Sequence, residues 1–137
     1  MRLRKDAKVE LLGKIPLLSH YSKRELGRVA AIADEIDLPE GKVLTREGER
    51  GRELVILLEG TAEVRKGGRK INTLGPSDFL GEIALISRLP RTATVTTTSP
   101  VRALVVNDRD FRSVLTRSLE TQLKLLDALA ERLGVSL

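Results

Sequence analysis

The 137-residue sequence has no cysteine and no tryptophan, and aromatic residues make up only 2% of it. The missing thiols exclude disulfides and thiolate-held metals. With so few aromatics, a core must be built from aliphatic side chains, and bases would find no stacking platforms. The one histidine, His20, stands apart from any carboxylate cluster, so no metal site is expected. No apolar run approaches the ~18–20 residues that span a bilayer, and no membrane partner is expected. The amino terminus, MRLRKDAKVE, lacks the apolar stretch of a secretory signal, which points to a cytoplasmic location. No nucleophile–base pair or pair of acids shows catalytic logic, so no catalytic residue and no enzyme activity are expected.

The rest of the composition is that of an ordinary globular chain, 41% hydrophobic and 31% charged. The length suits a single domain over residues 1–137, with enough chain for a real core. A net charge of +5 and a pI near 9.9 raise nucleic acid as a partner. Lysines and arginines are scattered, however, as on a solvated surface, so nucleic acid is not the expected partner. Arg2, Arg4, Lys5 and Lys8 form one basic arm, which keeps a nucleic-acid-associated regulator open as an alternative.

Patterning divides the chain into three parts. Residues 1–35 read as helices. Leu11, Leu12 and Ile15 form an apolar patch before Pro16. Ser22 with Glu25 is a capping-box signature, and Leu26, Val29, Ala30 and Ala33 follow at helical spacing. The spacing predicts a helix from Lys23 to about Asp34. Residues 36–107 read as short strands near 42–45, 53–58, 62–65, 70–74, 92–98 and 101–106, with Gly67-Gly68 as a hairpin signal. Such strands suggest a barrel or jelly roll. Val43, Leu57, Ile71 and Leu74 are expected to be apolar barrel residues, most of them core and some of them lining a ligand pocket. Residues 108–137 are helical again. Asn107 or Asp108 caps a helix carrying Phe111 and Val114, and a longer helix starts near Ser118. Its leucine stripe, Leu119, Leu123, Leu126, Ala130 and Leu133, is widened by Leu125 and Leu129. The stripe has two readings: core packing on the barrel, or a lid or homodimer seam.

The most informative stretch is residues 79–95, FLGEIALISRLPRTATV. Gly81 lets the backbone approach a ligand closely. Residues 82–86 can wind into a helical turn whose first N–H groups favour a negative charge. Arg91 adds a planar fork of donors suited to phosphate. Glu82 would repel a bare phosphate, but a sugar hydroxyl beside that phosphate would give it a partner.

This stretch resembles the phosphate-binding cassette of the cyclic nucleotide-binding domain family. The family pattern, F-G-E-x-A-L followed by R-x-A-[ST], is filled by Phe79, Gly81, Glu82, Ala84, Leu85, Arg91, Ala93 and Thr94, with Leu80 as an insertion common in bacterial members. Gly41, Gly48, Gly60 and Gly75 match the family's glycine punctuation, and residues 11–26 look like its N-terminal helical lead-in. The implied fold is α+β and mainly β: an eight-stranded antiparallel β-roll or jelly roll with N-terminal helices, a short cassette helix within residues 79–94, and C-terminal helices.

The resemblance also implies a ligand, cAMP or cGMP, and no further cofactor. Arg91 would take the cyclic phosphate, with the backbone near Leu80, Gly81, Ile83 and Ala84. Glu82 would accept the ribose 2′-hydroxyl. Thr92 and Ala93 would flank the phosphate or purine; Thr92 does not settle the base, and cAMP is favoured over cGMP. Ser136, near the end of the last helix, would reach the base. Bacterial regulators of this family continue into a DNA-reading helix-turn-helix, whereas this sequence stops at Leu137. The expected output is therefore repacking of the flanking helices, passed to a second copy or to an effector protein in trans. The alternatives are a nucleotide-insensitive interaction module of the same fold and a regulatory subunit for an enzyme or channel.

Overall fold

The structure is a computed structural model and describes residues 2–134; Ser136 lies outside them. Its class is α+β, mainly β, with eight antiparallel strands in two sheets and four α-helices. The chain resolves into two units. A helical unit is drawn from both chain ends, up to Ala33 and from Arg109 onward; a β unit holds residues 34–108.

In the helical unit, α1 (Lys5–Gly13) leads to a 3₁₀ turn at Pro16–Leu18 and then to α2 (Lys23–Ala31). The capping box forms as the sequence predicts. Ser22 Oγ accepts from the Glu25 amide at 3.2 Å, and Glu25 Oε1 accepts from the Ser22 amide at 2.9 Å. The helix stops at Ala31, short of the Asp34 expected from its periodicity. Ile32 leaves helical geometry, and Ala33 already begins β1 (Ala33–Leu38), which lies beside β8. Ladder pairing has overridden local helical preference there.

α3 (Asp108–Leu115) and α4 (Leu119–Leu133) complete the helices, and Ser118 caps α4 by accepting from the Thr121 amide at 3.4 Å. The face of α4 that is buried differs from the expected one. Thr121, Leu125 and Ala128 are buried, while Leu119, Leu123, Leu126 and Leu133 are exposed. A polar residue sits on the inner face because it is satisfied there: Thr121 Oγ1 donates to the Ser118 carbonyl at 2.8 Å. The core reading of the leucine stripe is thus corrected.

The β unit consists of two four-stranded sheets. One has the order β1-β8-β3-β6, the other β2-β7-β4-β5. The remaining strands are β2 (Val43–Thr45), β3 (Glu53–Glu59), β4 (Ala62–Lys66), β5 (Arg69–Leu74), β6 (Phe79–Leu80), β7 (Thr94–Thr97) and β8 (Val101–Asn107). Gly67 and Gly68 close the β4–β5 hairpin, with Lys66 opposite Arg69. Val55, Leu57, Ala62, Val95, Val101, Ala103 and Val105 form the aliphatic core, joined by Leu38, Leu44, Val64, Leu74 and Leu80. Burying such residues contributes roughly 1.5–3 kcal/mol per large side chain, an upper estimate because the unfolded chain is already partly compact. Ile71 is 55% exposed, against expectation: β5 is the edge strand of its sheet, and every residue of it but Leu74 is exposed.

Candidate functional site

The site is built around Arg91, which lies between the 82–85 turn and β7. The sequence delivers it through a short edge. β6 pairs with β3, with Leu80 opposite Val55, and the chain then turns sharply at Gly81. Gly81 has φ 82°, a left-handed conformation that suits glycine. A Cβ there would lie 2.2 Å from the Glu53 carbonyl oxygen and 2.3 Å from Arg91 Nη2. The expected cassette helix is a single 3₁₀ turn, Glu82–Leu85, with Glu82, Ala84 and Leu85 buried.

Arg91 is anchored through both backbone and side chain. Its amide donates to the Glu49 carbonyl at 2.7 Å, and its carbonyl accepts from the Gly48 amide at 2.9 Å. Its Nη2 donates to the Glu53 carbonyl at 3.0 Å. Its Nε is buried and has no hydrogen-bond partner among the described residues. Burial pulls the guanidinium below its ordinary pKa, opposed by the nearby charge of Glu53. An arginine in such a setting stays charged and presents its donors to whatever anion can reach it.

A cavity of about 210 Å³ opens beside it, lined by Thr45, Val64, Leu74, Phe79, Leu80, Gly81, Arg91, Thr92, Ala93 and Val95. It therefore has one cationic wall and several apolar ones, a composition that suits a small ligand with an anionic group on an apolar body. Thr45 is held by its hydroxyl, which donates to the Ala93 carbonyl at 2.9 Å and ties β2 to the cassette's end.

Of the residues picked from the sequence, the structure brings Leu80, Gly81, Arg91, Thr92 and Ala93 to this cavity. Glu82, Ile83 and Ala84 do not line it. Glu82 is only 4% exposed, and the Ala84 amide donates to the Gly81 carbonyl at 3.1 Å. In this structure the 3₁₀ turn uses the Ala84 N–H itself. Thr45, Val64 and Val95 were not picked. Period-two alternation in their strands was the only signal for them, and it does not distinguish a cavity wall from core. Elsewhere, His20 Nε2 pairs with Glu131 at 2.7 Å. No group of three or more His, Cys, Asp or Glu among the described residues could hold a metal ion. No helix among them is long and apolar enough to cross a membrane.

The chain is similar to several known proteins. The sequence model of the family described as "Cyclic nucleotide-binding domain" matches residues 35–118. A candidate potassium channel protein of Rhodopseudomonas palustris is 30% identical over 131 residues, covering 93% of this chain and 32% of that protein. The cAMP-dependent protein kinase regulatory subunit of Dictyostelium discoideum is 30% identical over 133 residues, covering 86% of this chain and 41% of that subunit. The chain thus spans less than half the length of these two relatives. Among solved structures, the N-terminal domain of a transcriptional regulator from Streptomyces coelicolor A3(2) superimposes with a TM-score of 0.79 at 29% identity, covering 90% of each chain. A cyclic nucleotide-binding-like protein from Brucella abortus bv. 1 str. 9-941 gives 0.74 at 26% identity, covering 81% of this chain and 99% of that one. By sequence match, strand topology and cavity, this chain belongs to the cyclic nucleotide-binding domain family, whose domains are regulatory rather than catalytic.

Proposed function

We propose that the β unit binds cAMP, with cGMP as the competing ligand, and that binding is read out by the flanking helices. The observation that carries this reading is Arg91, held half-buried at one wall of an otherwise largely apolar cavity by three hydrogen bonds. A cyclic phosphodiester bears one negative charge, which the guanidinium matches. Gly81 leaves the backbone bare beside it, while Thr92 and Ala93 border the same space. Leu74, Val64 and Phe79 offer an apolar bed for ribose or purine.

Glu82 is the proposed acceptor for the ribose 2′-hydroxyl. It lies off the cavity wall, so this contact requires the Glu82–Leu85 turn to move when ligand arrives. Such a movement would carry Leu85, and the coupled helices would shift in population according to the ligand's differential affinity for the two states. Ser136 remains the proposed base contact from the chain's end.

The exposed leucines of α4 support an output through a second copy. Leu119, Leu123, Leu126, Ala130 and Leu133 recur in alternating steps of four and three residues, the spacing of a coiled-coil seam. Light scattering of wild type against the double variant Leu123→Glu/Leu126→Glu tests this part. A wild-type monomer at high concentration would remove the seam and leave an effector in trans.

The ligand reading is tested by calorimetric titration of the full chain with cAMP and cGMP, alongside Arg91→Ala. Wild type is expected to bind at least one nucleotide. The variant should lose about 1.5–3 kcal/mol, roughly 10- to 150-fold in affinity. Equal binding by both proteins would strip Arg91 of its role, and binding of neither nucleotide would favour the nucleotide-insensitive module.

A further inference from the structure

The structure assigns to Gly51, in the β2–β3 loop, the role of positioning Arg91: its missing side chain is the slot in which the arginine shaft lies. This inference rests on the proposed ligand reading and deepens it.

Gly51 is buried, yet its φ is not in the left-handed region. The left-handed backbone that explains glycine elsewhere is therefore not the reason for it at this position. Space is the reason. A Cβ built on Gly51 would lie 2.0 Å from Arg91 Nε, 2.4 Å from Cζ and 2.7 Å from Cδ. No real Cβ tolerates such distances, so the arginine would have to leave.

The surrounding loop grips the same residue. Glu49 and Gly48 bond the Arg91 backbone on both sides, Arg50 bridges to Pro90, and the Glu53 carbonyl holds Nη2. Residues 48–53 thus form a cradle for Arg91, and of the cradle's two glycines Gly51 is the one whose Cβ would strike the arginine. Outside the cradle, the displaced guanidinium would lose both its bond to Glu53 and its place on the cavity wall. A positioning residue of this kind acts on the ligand only through Arg91, so its effect must vanish when the arginine is gone.

The test is a double-mutant cycle on the full chain: wild type, Gly51→Ala, Arg91→Ala and the double variant, titrated with cAMP and cGMP. Affinity should fall about tenfold or more in Gly51→Ala, the order of a lost charge-assisted contact. The double variant should bind no more weakly than Arg91→Ala. Gly51→Ala binding as tightly as wild type would overturn the assignment, as would full additivity of the two losses.

A second readout does not depend on nucleotide. The Arg91 Nε–Hε resonance, identified by its loss in Arg91→Ala, should move in Gly51→Ala toward the position of exposed arginines. An unmoved resonance overturns the proposal even if the backbone spectrum is intact. If Gly51→Ala alone fails to fold, a folded double variant supports the slot, and an unfolded one refutes it. Should wild type bind neither nucleotide, the ligand reading fails by itself, and the resonance still decides the place of Gly51.

Discussion

Lys124 Nζ lies 2.5 Å from Glu25 Oε1, joining α4 to α2 across 99 residues of sequence. Glu25 is buried and also caps the Ser22 amide, while Lys124 reaches Glu120 at 3.5 Å. Burial pushes the Glu25 carboxyl up, but the hydrogen bonds from Lys124 and Ser22 outweigh it, and its pKa falls below the ordinary value. The bond to Glu25 raises that of Lys124. The two signs define a window. Glu25's contribution is present above its unfolded value, about 4.3, and is lost as pH falls through its lower folded value. Lys124's contribution is complete below its unfolded value, about 10.4, and is lost as pH rises through its higher folded value. The Tm difference between wild type and Lys124→Met should therefore be level across neutral pH and shrink at both extremes. A difference that persists unchanged into strong acid would show that the methylene stem, not the charge pair, matters.

The two faces of α4 give a second prediction. Leu125→Ala should cost about 2–5 kcal/mol, because it leaves a cavity beneath a buried side chain. Leu123→Ala should stay within about 0.5 kcal/mol in the monomer, because that side chain is already in solvent. Urea unfolding at low protein concentration measures both. Comparable losses would mean that the leucine stripe is core after all.

This contrast marks what the sequence could say. The capping box at Ser22, the hairpin at Gly67-Gly68 and the strand runs around Leu57 and Val105 are local signals, and each appears in the structure. The arginine of the cassette was legible for the same reason, since its motif is contiguous. The inner face of α4 was not. A stripe of leucines outweighs Thr121 on any periodic reading, and the threonine's bonds to the Ser118 and Leu115 carbonyls let it share the buried face with Leu125 and Ala128. Ile71 was misread because strand order, which places β5 at an edge, is not a local property. The bed of Arg91 was hidden for a related reason: Gly51 in the β2–β3 loop and Glu53 at the start of β3 lie about 40 residues upstream, with no motif that points to an arginine.

Gly81→Ala separates backbone strain from crowding. Gly41 and Gly81 share nearly the same φ, 83° and 82°. A Cβ on Gly41 meets nothing within 4 Å, whereas one on Gly81 strikes the Glu53 carbonyl at 2.2 Å. Gly41→Ala should cost only the left-handed penalty, about 1–2 kcal/mol. Gly81→Ala should cost clearly more, because a backbone oxygen of β3 cannot swing aside as a side chain can. Thermal melts of the two variants compare them directly, and equal losses would mean that the β3–β6 edge yields at little cost.

Glu82 offers the sharpest test of how the cassette turn works. Its side chain is buried and off the cavity wall, so two roles compete: it either stabilises the turn or accepts the ribose hydroxyl once ligand is bound. A hydrogen bond to a charged acceptor is worth about 1.5–3 kcal/mol, or roughly 10- to 150-fold. On the ribose reading, 2′-deoxy-cAMP should bind wild type that much more weakly than cAMP. In Glu82→Ala the two nucleotides should bind alike, because the hydroxyl has lost its acceptor. On the turn-only reading, Glu82→Ala weakens both nucleotides by the same factor, and removing the hydroxyl costs the same in each protein. The coupling energy from this four-way cycle is unaffected by any general softening of the turn, since such softening cancels between ligands on one protein. A coupling near zero would confine Glu82 to the structure of the turn and leave phosphate recognition to Arg91 alone.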